Sequence, residues 1–432
     1  MTYNEFEVTY NTKKIVLSFP KEVEVVICAP TTSKGMNFQY DDYFKKIEEQ
    51  ESWKIFLDKI KYQKILLIVN DGSRATPTSK ILDLLIPVLE KLKISLEILI
   101  ATGSHRPATE EELKHILGSF YENFRTKCRS HYAEDMESLT NIGTTPTFKT
   151  PVWINNAILS PEIAGYITIN SVEPHYFAGW TGGRKSIIPG IAGYDTITAT
   201  HKHALSTKSE ICRLSGNPVH EDFLECLNFL PEIPHYSFQI VLGSSGLLEG
   251  LFGGSIHSAF LEAVKYAENI FQVSVPSSYP LIILVPDPPL DRQLYQAHKA
   301  IENSKAVLEN NGDILLISSC VEGIGPSSFF DFLKTNNSKN TMEFLKSIKE
   351  NYKLGYHKAG KLVELSTKAN LWLKSTLSDE ESRIALMEPL ENIQIWLNEY
   401  FERHPAIKQV LIVYDACVTV PFLKKNKNKE KI

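Results

Sequence analysis

The change of period between residues 65 and 101 constrains this chain most. Residues 65–70 (Ile-Leu-Leu-Ile-Val-Asn) are a nearly unbroken apolar run of strand length, residues 79–93 place apolar side chains at helical spacing, and residues 95–101 return to a strand pattern. Strand, helix, strand in that order predicts a βαβ unit and hence a parallel sheet. Such a sheet collects the carboxyl ends of its strands on one edge, where open α/β folds bind ligands. Both loops expected on that edge are polar: Asp71-Gly-Ser-Arg-Ala-Thr-Pro77 after the first strand and Gly103-Ser-His-Arg-Pro107 after the second. The first predicts a helix with Thr76 as N-cap and Pro77 at its first position. After the second, Thr109 to Glu112 reads as a capping box opening another helix.

The same punctuation recurs along the 432 residues. Residues 1–30 read as paired strands, 166–169 and 238–243 as strands, 250–254 as a turn region and 256–271 as a helix. A composition shift at Pro276-Ser-Ser-Tyr-Pro280 marks a domain boundary. Beyond it, strands at 281–285 and 313–318 flank a helix at 296–306. Helices at 340–352 and 357–366 and a strand at 370–373 complete a second α/β unit. The expected division is residues 1–275 as an N-terminal domain, completed by 405–420, and 276–404 as a C-terminal domain. Residues 421–432 form a basic tail expected to be disordered.

Composition excludes several classes. A net charge of −5 gives no basic field for nucleic acid or anionic membrane. No apolar run approaches the length of a membrane span, and the N-terminus lacks the pattern of a secretory signal. The six cysteines show neither close pairing nor metal-type spacing, which argues for a reducing cytoplasm and against a disulfide scaffold.

Chemistry concentrates between residues 166 and 203. A strand stops at Ile169, and a long loop then carries His175, the turn Gly182-Gly-Arg-Lys185 and Pro189-Gly190, before a helix from about Tyr194 brings in His201 and His203. Long loops within compact domains are usually functional. Lys185 does not fit a P-loop, so it is either a reactive amine or a surface lysine in a turn. His201 and His203 alternate, so on a helix they face different ways; one suits a metal ligand and the other solvent. His105 and His175, each in a loop after a strand, suit an acid/base pair on opposite sides of a substrate, or else packing and capping. Asp71, Ser73, Arg74 and Thr76 suit a phosphate or simple helix capping. Gln296 and Lys299 lie three apart, on one helical face, and read as solvated from pattern alone.

Taken together and in order, these motifs resemble the nickel-dependent lactate racemase family. The likeness runs through Asp71-Gly-Ser-Arg-Ala-Thr-Pro77, Gly103-Ser-His-Arg-Pro107, Glu173-Pro-His-Tyr-Phe-Ala-Gly179, Gly182-Gly-Arg-Lys-Ser-Ile-Ile-Pro-Gly190 and His201. It continues in Leu294-Tyr-Gln-Ala-His-Lys-Ala300 and Glu322-Gly-Ile-Gly325, so it spans the chain except the basic tail. The resemblance implies two α/β domains with the active site in the interdomain cleft. It also implies a nickel-pincer nucleotide, a pyridinium mononucleotide whose thioamide arm is tethered to a lysine, matched by Lys185. His201 matches the histidine that completes the nickel coordination, and imidazole beside soft sulfur donors suits Ni(II). Asp71, Ser73, Arg74 and Thr76 would contact the cofactor, Gln296 would help hold it, and His105 and His175 match the two acid/base histidines. Lys299 is the expected partner of the substrate carboxylate.

The reaction so implied is racemisation or epimerisation of a 2-hydroxy acid. The α-hydrogen leaves as hydride while one histidine takes the hydroxyl proton, and hydride returns to the other face. Cofactor-synthesis enzymes are implied as partners. Two departures, Ala75 where the family often has proline and Trp180 where a smaller aromatic is usual, leave substrate choice open. Two alternatives stand beside this reading. Lys185 could form a Schiff base directly with a carbonyl substrate, or the chain could be a non-catalytic family member that binds a cofactor or small molecule.

Overall fold

The computed structural model describes residues 3–31, 39–243, 246–336 and 340–424. The chain divides into two compact units, residues 32–269 and residues 1–31 with 270–432.

The unit of residues 32–269 is built on six strands: β1 (Lys64–Asn70), β2 (Ser95–Ala101), β3 (Cys128–Ser130), β4 (Ile163–Ser171), β5 (His235–Leu242) and β6 (Leu248–Gly254). Their order across the sheet is β6-β5-β4-β1-β2-β3. Only the β5–β6 pair is antiparallel, so β1, β2, β4 and β5 end on one edge. The run from Ile65 to Val69 is fully buried, as expected of a strand covered on both faces. Helix α1 (Thr78–Lys91) connects β1 to β2 and buries Ile81, Leu82, Leu85, Ile86 and Leu89 on one stripe. Each such side chain contributes about 2 kcal/mol against the cost of ordering it. Phe44, Trp53, Phe56, Tyr236 and Phe238 extend the same core beneath β5.

Two local expectations change here. Pro77 is the N-cap of α1, whose first residue is Thr78, because the Thr76 hydroxyl turns inward instead of capping. Residues 250–254, expected as a turn, lie within strand β6. A Cβ at Gly253 would meet the Tyr236 hydroxyl at 2.6 Å, so the glycine serves close packing within a strand, which composition alone reads as a turn. The capping box of Thr109 and Glu112 is present as expected.

The other unit holds a six-stranded parallel sheet in the order Glu388–Pro389, Asn370–Lys374, Leu308–Ile317, Tyr279–Val285, Gln409–Tyr414 and Glu24–Cys28. Gln409–Tyr414 therefore completes this sheet and not the N-terminal one, and residues 1–31 also belong here. The expected division at residue 275, with 405–420 returning to the first domain, differs for that reason. A buried apolar strand does not say which sheet it enters; pairing of Val410 with Val25 and of Leu411 with Ile282 decides it. The hairpin of Tyr3–Tyr10 and Lys13–Pro20 packs Val8, Leu17 and Phe19 into a core with Trp396, Tyr400 and Phe401. Residues 421–423, placed in the tail by composition, finish a strand, Val420–Leu423, paired with Gln272–Val275. Residues 425–432, the rest of that tail, lie outside the described residues. Among the described residues no helix is long and apolar enough to cross a membrane.

Candidate active site

The carboxyl edge of β2, β1 and β4 carries the polar loops. After β1, Asp71 is buried and uses both carboxylate oxygens. One lies 2.7 Å from His105 Nδ1, and the other accepts the Ser73 hydroxyl at 2.7 Å. Burial alone would raise the Asp71 pKa. The hydrogen bond and charge of His105, with help from Arg74 and Ser73, outweigh it and hold the carboxyl below its usual range. A carboxylate can only accept, so Nδ1 carries the proton and Nε2 of neutral His105 bears the lone pair. With its side chain 47% exposed, that imidazole is reachable by a small substrate. Asp71, expected among the cofactor contacts, is thus the residue that orients His105.

Thr76 also faces inward. Its hydroxyl accepts the Asn70 side-chain amide at 2.7 Å and sits 2.9 Å from the Ser171 hydroxyl. It fixes the loop from beneath. Ser73 and Arg74 remain as outward groups suited to a phosphate, Arg74 lying 3.4 Å from Glu173. The expected phosphate loop is therefore half contact surface and half support.

After β4, Pro174–His175 pairs antiparallel with Gly179–Trp180. The tight turn puts the Ala178 N–H on His175 Nδ1 at 3.3 Å. Gly179 is needed there: its φ is +77°, and a Cβ would meet the Arg213 carbonyl at 2.2 Å. The His175 ring stacks on Tyr176 and meets Phe177 edge-on. Arg184, fully buried, ties the same turn down by donating to the Ala178 carbonyl at 2.7 Å, with its guanidinium 4.5 Å from the Phe260 ring. Burial lowers its pKa to about 9.

Lys185 sits half-buried in the short helical turn Gly183–Ser186, entered through Gly182 at φ +81°. Its carbonyl accepts the Gly190 N–H at 3.1 Å, and the Gly190 carbonyl accepts the Gly103 N–H at 2.9 Å. Gly190 thereby ties the Lys185 turn to the loop of His105. Helix α2 (Tyr194–Lys202) follows and carries His201, whose ring lies edge-on to Phe177 at 5.2 Å with Nδ1 3.3 Å from the Thr200 hydroxyl. Burial first, and then the Lys185 charge, push its pKa down to about 3. His201 is held neutral, the form that ligates a metal. Among the described residues no three His, Cys, Asp or Glu side chains gather as a metal site. A metal at His201 would need its other donors from a bound group, as a pincer nucleotide would provide. The residues fit that group: a neutral imidazole, a neighbouring lysine, and a loop that carries a serine and an arginine. His203, expected to face solvent, packs on Phe148 with Nε2 3.2 Å from buried Asp222.

In the other unit, helix α3 (Leu294–Ser304) carries Gln296 and Lys299. Lys299 is 8% exposed, so the solvated reading from its spacing fails. Sequence reasoning also passed over Lys358, which is buried, donates to the Tyr295 carbonyl and stands 3.6 Å over the Tyr295 ring. Its helix showed only ordinary periodicity, and no signal marked it. A second omission had a signal. Thr168 and Asn170 in β4, and Ser237 and Gln239 in β5, place polar residues two apart in otherwise apolar strands, all pointing to one side.

Comparison with known proteins finds lactate racemases in both sequence and fold. Models of the lactate racemase N-terminal domain and C-terminal domain match residues 10–212 and 284–355. A lactate racemase from Thermoanaerobacterium thermosaccharolyticum is 28% identical over 353 residues, covering 79% of this chain and 80% of the relative. One from Lactiplantibacillus plantarum is 28% identical over 303 residues, 67% of this chain and 70% of the relative. The fold is that of the T. thermosaccharolyticum lactate racemase apoprotein, with a TM-score of 0.85 at 23% identity over 97% of this chain and 100% of that one. A Thermotoga maritima protein of known structure follows, with a TM-score of 0.70 at 16% identity over 90% and 99% of the two chains.

Proposed function

Because this chain belongs to the lactate racemase family, we propose that it is a racemase, hence an isomerase, that inverts C2 of a small 2-hydroxy acid, lactate or a close relative, with a nickel-pincer nucleotide carried on Lys185. The observation that carries this reading is the junction at Gly190. It ties a lysine beside a neutral imidazole to the loop of a carboxylate-oriented histidine. When bound, the nucleotide would supply a reversible hydride acceptor.

The protein's residues do the rest. Lys185 would anchor the group through its side-chain nitrogen, and His201 would ligate the nickel as a neutral imidazole. Ser73 and Arg74 hold the phosphate near the start of α1, where the helix dipole favours an anion. Asp71 and Thr76 keep that loop in place from below. His105 takes the substrate hydroxyl proton at Nε2, and the Asp71 carboxylate stabilises the imidazolium that forms. His175 performs the matching proton transfer for the other enantiomer. Lys299 holds the substrate carboxylate by a charge-assisted hydrogen bond, with Gln296 beside it on α3. A cytoplasmic setting accords with six cysteines that are thiols.

The test is intact mass and nickel content after co-expression with cofactor-synthesis enzymes, followed by chiral analysis of D- and L-2-hydroxy acids. A nickel-bearing adduct on Lys185, absent in Lys185→Ala, together with interconversion of one enantiomeric pair, is the expected result. No adduct, under conditions that load a control racemase, overturns the reading. Borohydride trapping of a carbonyl substrate on Lys185 would then favour a Schiff-base enzyme.

A further inference from the structure

Beneath the candidate site runs a chain of side-chain amides, two buried and one half-buried, that the reaction itself does not require. Gln239 in β5 is fully buried. Its Oε1 accepts the Gly183 N–H at 2.8 Å, and its Nε2 donates to Asn170 Oδ1 at 3.1 Å and to Ser237 Oγ. Asn170 Nδ2 donates to Asn70 Oδ1 at 3.1 Å, and Asn70 Nδ2 donates to Thr76 Oγ1 at 2.7 Å. The Thr76 hydroxyl also lies 2.9 Å from Ser171 Oγ. Three carboxamides from three adjacent strands thus connect the turn of Lys185 to the loop of residues 71–77.

The direction of this chain is fixed by its first contact. A backbone N–H can only donate, so the oxygen of Gln239 must face Gly183, and every later amide then has one orientation that avoids a clash of like groups. Chains of this kind polarise one another and are costly to leave half-satisfied. The contact at Gly183 is also tight, since a Cβ on neighbouring Gly182 would approach Gln239 Oε1 to 2.6 Å. Neither end can shift without breaking a hydrogen bond, fully buried at Gly183 and partly buried at Thr76.

We propose that Gln239, acting through Asn170 and Asn70, is a positioning residue that couples the Lys185 turn to the Asp71–Pro77 loop, so that order at one end of the cofactor site sets order at the other. The proposal rests on the cofactor reading above for its purpose, but its physical content is testable in cofactor-free protein. The experiment is amide hydrogen exchange of residues 71–77 and 182–186 in wild type, Gln239→Met, Gln239→Glu and Ser237→Ala, followed by the rate of Lys185 adduct formation under limiting co-expression.

Ser237 is equally buried and bonded to Gln239 and Thr168, so it controls for general core damage. Gln239→Met should raise exchange in both segments, by about tenfold or more if one buried hydrogen bond is lost, and slow adduct formation by a similar factor. Gln239→Glu keeps an acceptor toward Gly183 and should retain protection there, while Ser237→Ala should leave both segments near wild type. Faster exchange at 182–186 with 71–77 unchanged, or equal effects in Gln239→Met and Ser237→Ala at matched loss of thermal stability, overturns the coupling. If wild type itself never forms the adduct, the cofactor reading fails, and the exchange data still decide whether the two loops are coupled.

Discussion

The loops of His105 and His175 leave the same edge of the sheet, one on each side of β1, yet they hold their imidazoles by opposite means. His105 is half-exposed and gives its Nδ1 proton to a buried carboxylate. His175 is buried among aromatic rings and receives a backbone N–H on Nδ1. Assigned from these partners, the neutral tautomers are opposite: His105 has its lone pair on Nε2, and His175 has its proton there. Inversion needs one group that takes a hydroxyl proton and another that returns one on the other side. The pair therefore starts unequal: His105 can take a proton at Nε2 as it stands, whereas His175 must first gain or shift a proton, a difference built by a carboxylate on one side and a peptide group on the other.

Removing either imidazole is the largest perturbation. His105→Ala and His175→Ala should each load Lys185 normally and lose about a thousandfold in turnover, within the span usual for a general acid–base group. Racemisation in both directions from purified D and L substrate checks this. The two enantiomers have equal free energy, so kcat/KM must fall by the same factor in both directions, and any asymmetry has to appear in kcat and KM separately. Retained turnover in either variant removes that histidine from the pair.

Asp71→Asn sharpens the comparison because it touches only one side. The amide can present a donor to Nδ1, which favours the wrong tautomer of His105, and we expect a loss of about a hundredfold in the turnover of loaded enzyme. The same carboxylate carries a pH signature. Its folded pKa is lowered, so its contribution to stability is complete above the ordinary carboxylate range and is lost as pH falls through the folded value. The difference in urea midpoint between wild type and Asp71→Asn should therefore be largest near neutral pH and shrink in acid. A difference that grows in acid would mean the pair is not formed as described.

A third histidine supplies the purely structural case. His131 is fully buried, with Nε2 2.9 Å from the Ala192 carbonyl and Nδ1 3.1 Å from the Asn155 amide. Burial pushes its pKa down to about 4. The unfolded chain binds this proton more readily, so stability is complete above the ordinary histidine value and falls as pH drops toward 4. Between pH 7 and pH 5 the loss should be about 2 kcal/mol. His131→Gln should flatten that slope in urea titrations without altering the ratio of D to L turnover. If it alters activity as strongly as Asp71→Asn, the separation of catalytic from supporting histidines fails.

How much of this was legible in the sequence follows from what each pattern can encode. The βαβ period from Ile65 to Ala101 reports burial on both faces, and burial is what orders those strands, so the first sheet was readable. The membership of Gln409–Tyr414 and Glu24–Cys28 was not, because strand pairing is a long-range choice between sheets that look alike in composition. His105, His175, Lys185 and His201 stood out as polar residues in loops after strands. The partnership of Asp71 with His105, thirty-four residues apart, depends on β1 and β2 lying side by side with their ends aligned. The amide chain left a trace, polar residues at alternate positions of β4 and β5, which is a pattern of sheet faces and not of loops.

The smallest effect separates two buried lysines of the other unit. Lys358 donates to the Tyr295 carbonyl and lies over the Tyr295 ring, which gives it a structural occupation. Lys299, on the same face of α3 as Gln296, lies close enough to Cys417 for its charge to pull against the burial that raises that thiol to about 12. If Lys299 holds the substrate carboxylate, Lys299→Met should raise KM by about tenfold, the loss of one charge-assisted hydrogen bond, with a smaller change in kcat. Lys358→Met should lower thermal stability and leave KM near wild type. The opposite pattern would transfer the carboxylate to Lys358. A loss of Lys185 loading in Lys299→Met, with KM unchanged, would instead make Lys299 a cofactor contact, because a group that binds only substrate cannot affect a covalent step completed before substrate arrives.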